Sequence, residues 1–198
     1  IVGDAAGDAV IGASGSVFLG YNAGGTVTYG SDNIAIGNDA MNGGTVTTGT
    51  RNIAIGLSAG DAITTAQGNV AIGYSALSAE DTAGGTVAIG YYALENNTSG
   101  ANNTAVGAEA LEACTTGGAN DAFGRWALQS LTTGSFNKAF GYYSLLQLTT
   151  GSENTAMGQS ALRLNSTGTQ NVAIGPNSLS ANTTADYNTA LGTHTLPV

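Results

Sequence analysis

A nine-residue pattern, Asn-x-Ala-φ-Gly-x-x-small-Leu with φ a large apolar residue, recurs along the chain at an almost constant period. Its glycine falls at Gly20, Gly37, Gly56, Gly73, Gly90, Gly107, Gly124, Gly141, Gly158, Gly175 and Gly192, with gaps of 17, 19 and then 17 eight times over. Such a repeat constrains the fold more than local propensity does. A unit this short cannot bury its own apolar side chains and must stack on its neighbours. The two extra residues of the long gap fall between Gly43 and Arg51, and a degenerate copy is expected at Ala9-Val10-Ile11-Gly12.

Counting the Asn as position one, position three is Ala in ten of the eleven copies, Phe18 being the exception. Position four is always bulky and apolar, position eight is small, and position nine is Leu in eight copies, from Leu77 to Leu196. A Thr/Ser pair usually follows, as in Thr115-Thr116 and Thr132-Thr133, and then a turn residue that is often Gly. Apolar residues come in bursts of about four, too short for helices, and Val, Ile and Thr beside recurrent Gly and Asn read as two short strands joined by two tight turns. A leucine-rich repeat is the helical competitor, but its LxxLxL signature is absent. The first-position Asn is expected to be a left-handed turn residue whose amide ladders with the coil above.

The sequence therefore predicts an all-β fold, a parallel β-solenoid of about eleven 17-residue coils. Residues 1–15 read as an irregular N-terminal coil or cap and 16–198 as a single repeat domain, expected to be an excerpt of a longer fibre. Two five-residue strands per coil make a thin roll, with positions three and eight inside. Strand alternation then turns position four outward. At about 4.8 Å per coil the rod is roughly 50 Å long, and a column of Leu, Ile, Val, Phe and Met runs down its outside. A bare apolar stripe of that length would aggregate, so a parallel homo-oligomer joined along these columns is expected.

The segments Asn33-Ile34-Ala35-Ile36-Gly37, Asn52-Ile53-Ala54-Ile55-Gly56, Asn69-Val70-Ala71-Ile72-Gly73 and Asn171-Val172-Ala173-Ile174-Gly175 resemble the head repeat of YadA-like trimeric autotransporter adhesins. The linking segments, such as Ala161-Leu162 through Ser166-Thr167-Gly168, are similar to repeats of phage tail-fibre-like proteins and bacterial surface fibres. The resemblance runs from about Ser16 to Leu196. It implies a homotrimer of left-handed parallel β-rolls presenting an adhesive head, exported to a bacterial cell surface or carried on a phage tail fibre. The unit is longer than the typical adhesin head repeat, and no coiled-coil neck or membrane β-barrel follows the pattern.

Composition excludes several functions. The chain of 198 residues carries 13 acidic against 4 basic residues, a net charge of −9. Only Arg51, Arg125, Lys138 and Arg163 could meet phosphates, which argues against a nucleic-acid partner and against docking on anionic lipid. No apolar run reaches the roughly 20 residues of a membrane span. Cys114 and His194 are the only residues of their kinds. Stacked coils hold them on the order of 24 Å apart, too far for a Cys–His nucleophile pair. Cys114 shares its repeat position with Ile63, Leu131 and Leu148, so packing is its expected role. The acidic residues are scattered, Glu80-Asp81 being the one adjacent pair, and no metal or cofactor site is expected. The glycine-rich stretches match no phosphate loop. No enzymatic activity is expected.

Positions six and seven vary most in character and hold most of the aromatic rings. Stacking aligns them into a stripe, and Tyr74, Tyr91, Tyr92, Arg125, Trp126, Tyr142 and Tyr143 form its candidate binding site for a surface glycan or a protein receptor. The competing reading is that these rings only cover a corner between subunits. At the level of the whole chain, an adhesive head competes with a passive spacer whose recognition domain lies elsewhere. An ice-binding solenoid is a third reading, raised by Thr26-Val27-Thr28 and Thr45-Val46-Thr47. Adjacent Thr-Thr in later copies sends alternate hydroxyls to opposite faces, which weakens it.

Overall fold

Each repeat contributes one three-residue strand in the structure, a computed structural model that describes residues 1–43, 48–79 and 82–196. The strands are β1 (Val17–Leu19), β2 (Ile34–Ile36), β3 (Ile53–Ile55), β4 (Val70–Ile72), β5 (Val87–Ile89), β6 (Thr104–Val106), β7 (Asp121–Phe123), β8 (Lys138–Phe140), β9 (Thr155–Met157), β10 (Val172–Ile174) and β11 (Thr189–Leu191). They form a single parallel sheet in chain order, each residue pairing with its equivalent one coil on, as Ala71 does with Ala88. The product is an all-β solenoid of about ten turns, with no helix among the described residues.

Among the described residues, the second strand expected in each coil does not form. Positions seven and nine both adopt left-handed backbone, for example Glu109 at φ 58° and Leu111 at φ 52°, and so does the residue before the Asn, Ala119 at φ 57°. Alternation of left- and right-handed residues closes tight turns and cannot run as an extended strand. Among the described residues, no Val, Ile or Thr stands at positive φ, as β-branched sterics require. The fifth-position glycine is conformationally obligatory. Gly141 sits at φ 139°, and a Cβ on it would meet the Gly158 carbonyl oxygen at 2.6 Å.

The interior is wider than the thin roll expected. Position-three alanines are buried, as are the small residues at position eight, but the position-nine leucines from Leu77 to Leu162 are fully buried too. Ile63, Cys114, Leu131 and Leu148 fill position twelve behind them. Volume is conserved between positions: the one Phe at position three, Phe18, lies against Gly7 and Gly24, where other coils carry the position-nine Leu. Position four faces outward as expected, with Ile89, Phe123 and Ile174 each exposed by more than a third and Ile72 half-buried. Position two points the same way, so the outer face carries two columns rather than one.

The first-position Asn does ladder, but it is not the left-handed residue; its predecessor is. Asn120, Asn137, Asn154 and Asn171 are buried. Each Oδ1 accepts the backbone N–H of the next Asn at 2.9–3.1 Å. Each Nδ2 donates to the carbonyl at position fifteen at 2.9–3.0 Å. The series begins earlier than expected. Val2 bridges to Leu19 and Gly3 at φ 136° is the glycine 17 residues before Gly20, so Gly3 and not Gly12 holds the fifth position.

Candidate functional site

Positions six and seven follow the fixed glycine, so each coil sets two side chains at the same corner of the solenoid. Position six is the more exposed: Tyr74, Tyr91 and Tyr142 are exposed, whereas Tyr92, Trp126 and Tyr143 at position seven are half-buried. The seven candidate residues separate into two clusters. Tyr74 stacks on Tyr91 at 5.4 Å between ring centroids, and Tyr92 lies 4.1 Å from Tyr91 and edge-on to Tyr74 at 5.3 Å. One coil intervenes, carrying Ala108 and Glu109. Trp126 then stacks on Tyr143 at 4.9 Å, Tyr142 lies 3.9 Å from Tyr143, and the Arg125 guanidinium sits 3.6 Å over the Trp126 ring.

Four residues outside the candidate set buttress these rings: Glu109 and Arg163 meet them directly, and Gln129 links Glu109 to Glu112. Glu109 Oε2 accepts the Trp126 indole N–H at 2.6 Å and an N–H of Gln129 at 3.0 Å. Gln129 also donates to Glu112 at 2.8 Å, and Arg125 approaches Glu109 at 4.0 Å. Arg163 lies 5.7 Å from the Tyr143 ring centroid. Glu109 was hidden because its column is otherwise polar or aromatic without rule. Gln129 and Arg163 stand at position ten, which is adjacent in space and three residues away in sequence. The signal that finds them is the 17-residue register: Glu109 stands at the height between Tyr92 and Trp126.

Neighbouring hydroxyls of Tyr91 and Tyr74 push the Tyr92 phenol above its ordinary range, and Tyr143 does the same to Tyr142. Tyr92 and Tyr142 are thereby held as neutral donors at physiological pH. No cavity indents the described residues, so the stripe is a shallow platform of ring faces and hydroxyls, with the Arg125 cation set between its two aromatic clusters over Trp126. Such a platform can stack on the apolar faces of a sugar or on a flat peptide segment.

Other candidates resolve locally. Burial pushes the Cys114 thiol up to about 11, and its Sγ donates to the Gly117 carbonyl at 3.4 Å. The thiol is a packed side chain, not a nucleophile. Position-thirteen hydroxyls turn back on the fold: Thr115, Thr132 and Thr149 each donate to the carbonyl one coil on, at 2.9–3.1 Å. Position fourteen leaves Thr116, Thr133, Thr150, Thr167 and Thr184 as one exposed column. Of the Thr-Val-Thr segments, the first buries Val27 between half-buried threonines; the second and the Glu80-Asp81 pair lie outside the described residues. No described helix is long and apolar enough to cross a membrane. Compared with known families, with curated proteins and with solved structures, the chain matches none.

Proposed function

We propose that the chain is a non-enzymatic segment of an exported surface fibre, a parallel homotrimer of left-handed β-rolls whose aromatic corner recognises a surface glycan or protein receptor. The observation that carries this reading is the outer face of the sheet. Eleven successive position-four residues, all large and apolar, stand outside the chain's own core, joined by Val or Ile at position two in β1 to β5 and β10. Each such side chain is worth about 1.5–3 kcal/mol when buried. A face of this length is the counterpart of an interface between identical rods. Repetition of the corner three times around the rod raises avidity for a multivalent surface without strong individual contacts.

Two measurements test it. Light scattering on the chain is expected to give about three times 19.5 kDa; a monodisperse monomer at micromolar concentration would rule out the fibre assembly. Binding of the chain to glycan arrays and bacterial or host cells is expected to fall at least tenfold in Tyr91→Ala/Tyr142→Ala, with the circular dichroism spectrum unchanged. The second reading, a passive spacer, draws on the smoothness of the described surface. It is the outcome if the trimer forms and no ligand is captured.

A further inference from the structure

The outer face has one charged interruption. Position two is aliphatic through β5, then Thr104, Asp121, Lys138 and Thr155 in β6 to β9, then Val172. Lys138 Nζ lies 2.7 Å from Asp121 Oδ2 and also donates to the Ala119 carbonyl at 3.1 Å. Beside this pair the neighbouring column carries its largest side chains, Phe123 and Phe140, stacked at 4.9 Å. A charged pair, flanked by Thr104 and Thr155, stands in the middle of a face whose other members are aliphatic or aromatic except for Thr189 at its end, and it is internally neutral.

We propose that Asp121 and Lys138 set the polarity and axial register in which copies of this chain associate. This rests on the self-association proposed above. Each charge keeps its own chain's counter-charge in every alignment, but an aliphatic rung set against the pair strips its water and offers no hydrogen-bond partner in return, whereas a polar rung does, so the pair acts by penalising wrong alignments. Number the coils by their strands. In an antiparallel pairing with full overlap, coil 7 faces coil 5 and coil 8 faces coil 4, which sets Asp121 on Val87 and Lys138 on Val70. A parallel slip of two coils sets one copy's Asp121 on the other's Val87. A slip of one coil matches a single Asp121 to a single Lys138, leaves the other two charges facing threonines, and does not close into a ring. An antiparallel offset that sets Asp121 on Lys138 both ways leaves coils 1 to 3 of each copy uncovered, so parallel, in-register association is the arrangement that covers all eleven coils while stacking a layer of Asp121 directly below a layer of Lys138, with Thr104 and Thr155 as its polar floor and ceiling. A buried polar group that fixes register at some cost in stability is the best-attested use of such pairs.

The test uses the whole chain with a spin label on Thr184→Cys, an exposed residue near one end of the rod; buried Cys114 does not compete for the label. Parallel in-register copies give one narrow label-to-label distance distribution. Asp121→Leu/Lys138→Leu, which keeps the face apolar, is expected to hold its mass in light scattering while the distribution broadens into several distances. Asp121→Lys, which gathers like charges in the layer, is expected to drop to monomer mass, and Asp121→Lys/Lys138→Asp to recover the assembly. A distribution that stays single and narrow in the leucine pair, or full assembly by Asp121→Lys, would overturn the proposal while leaving self-association standing. A monomeric parent chain would remove both.

Discussion

At the scale of single residues, the Asn ladder shows how one side chain can satisfy groups in two coils. Its interruption is the most informative position in the chain. Thr86 takes the place of the Asn between Asn69 and Asn103. Its N–H still donates to Asn69 Oδ1 at 2.9 Å, but its own hydroxyl is buried without a partner. The Gly100 carbonyl is taken instead by Asn103 at 3.0 Å. An unsatisfied buried polar atom costs about 1–3 kcal/mol. Thr86→Asn is therefore expected to stabilise the chain by about 1 kcal/mol in urea unfolding, and Asn137→Ala, in an intact stretch, to destabilise it by about 2–4 kcal/mol. Cys114 supplies a pH prediction. Its thiol titrates at about 11 when folded against 9.0 ordinarily, so the folded state favours the protonated form. The stability this contributes is complete below about pH 9 and is lost as pH rises toward 11. Cys114→Leu should flatten that decline relative to the parent. The ladder itself was legible from the recurring Asn. The left-handed residue beside it was not, because that position accepts Asp, Arg, Asn, Ala, Phe, Glu, Gln and Tyr as well as Gly. Its only signature is the missing β-branched class.

At the scale of the element, a three-residue strand has no independent stability; it persists because eleven are stacked in register and each is closed by the same turn. The period and the inward Ala and outward apolar alternation were readable directly. The turn was not. Residues such as Tyr74 to Ala79 carry apolar side chains in a run that suits a strand or a helix by composition alone. What decides against both is the left-handed backbone at Ser75 and Leu77, a cost of roughly 1–2 kcal/mol per residue for non-glycine side chains. Burial of Leu77 and its equivalents offsets it. The fifth-position glycine is the point where no side chain can be accommodated. Gly141→Ala combines an unfavourable φ of 139° with overlap on the next coil's carbonyl and is expected to lower stability by at least about 3 kcal/mol. Ala119→Gly, at a left-handed position with no such overlap, is expected to change it by less than about 1 kcal/mol and in the stabilising direction. Thermal unfolding of the two variants separates a steric requirement from a conformational preference.

At the scale of the whole molecule, the question is which side of the sheet is finished. Adjacent residues of one strand answer it differently. Ala88 in β5 is fully buried and Ile89 beside it is exposed, although the apolar pattern makes the two equally greasy to a hydropathy count. Sequence alternation assigned them to opposite sides. The double column, with position two joining position four, and the polar gap at Asp121 and Lys138 became visible only when eleven strands were laid side by side. The same register divides the aromatic stripe at Ala108 and Glu109, a break that no single repeat displays. A substitution pair turns this into a test of the assembly. Ala88→Leu forces three extra carbons into a closed interior and is expected to destabilise the chain by about 1–3 kcal/mol or more. Ile89→Asp leaves the interior intact; its side chain, 36% exposed and flanked by Ile72 and Val106 in the sheet, is expected to cost the isolated rod only about 1 kcal/mol. In the proposed trimer it would set three carboxylates in an apolar seam of a particle already at a net 3 × −9 = −27, and charge burial of that kind is prohibitive. Ile89→Asp is therefore expected to keep the parent's circular dichroism spectrum and fall to monomer mass in light scattering. If it keeps both the spectrum and the trimer mass, the outer columns face water in the assembled fibre and the subunits meet elsewhere, with the aromatic corner the next surface to examine.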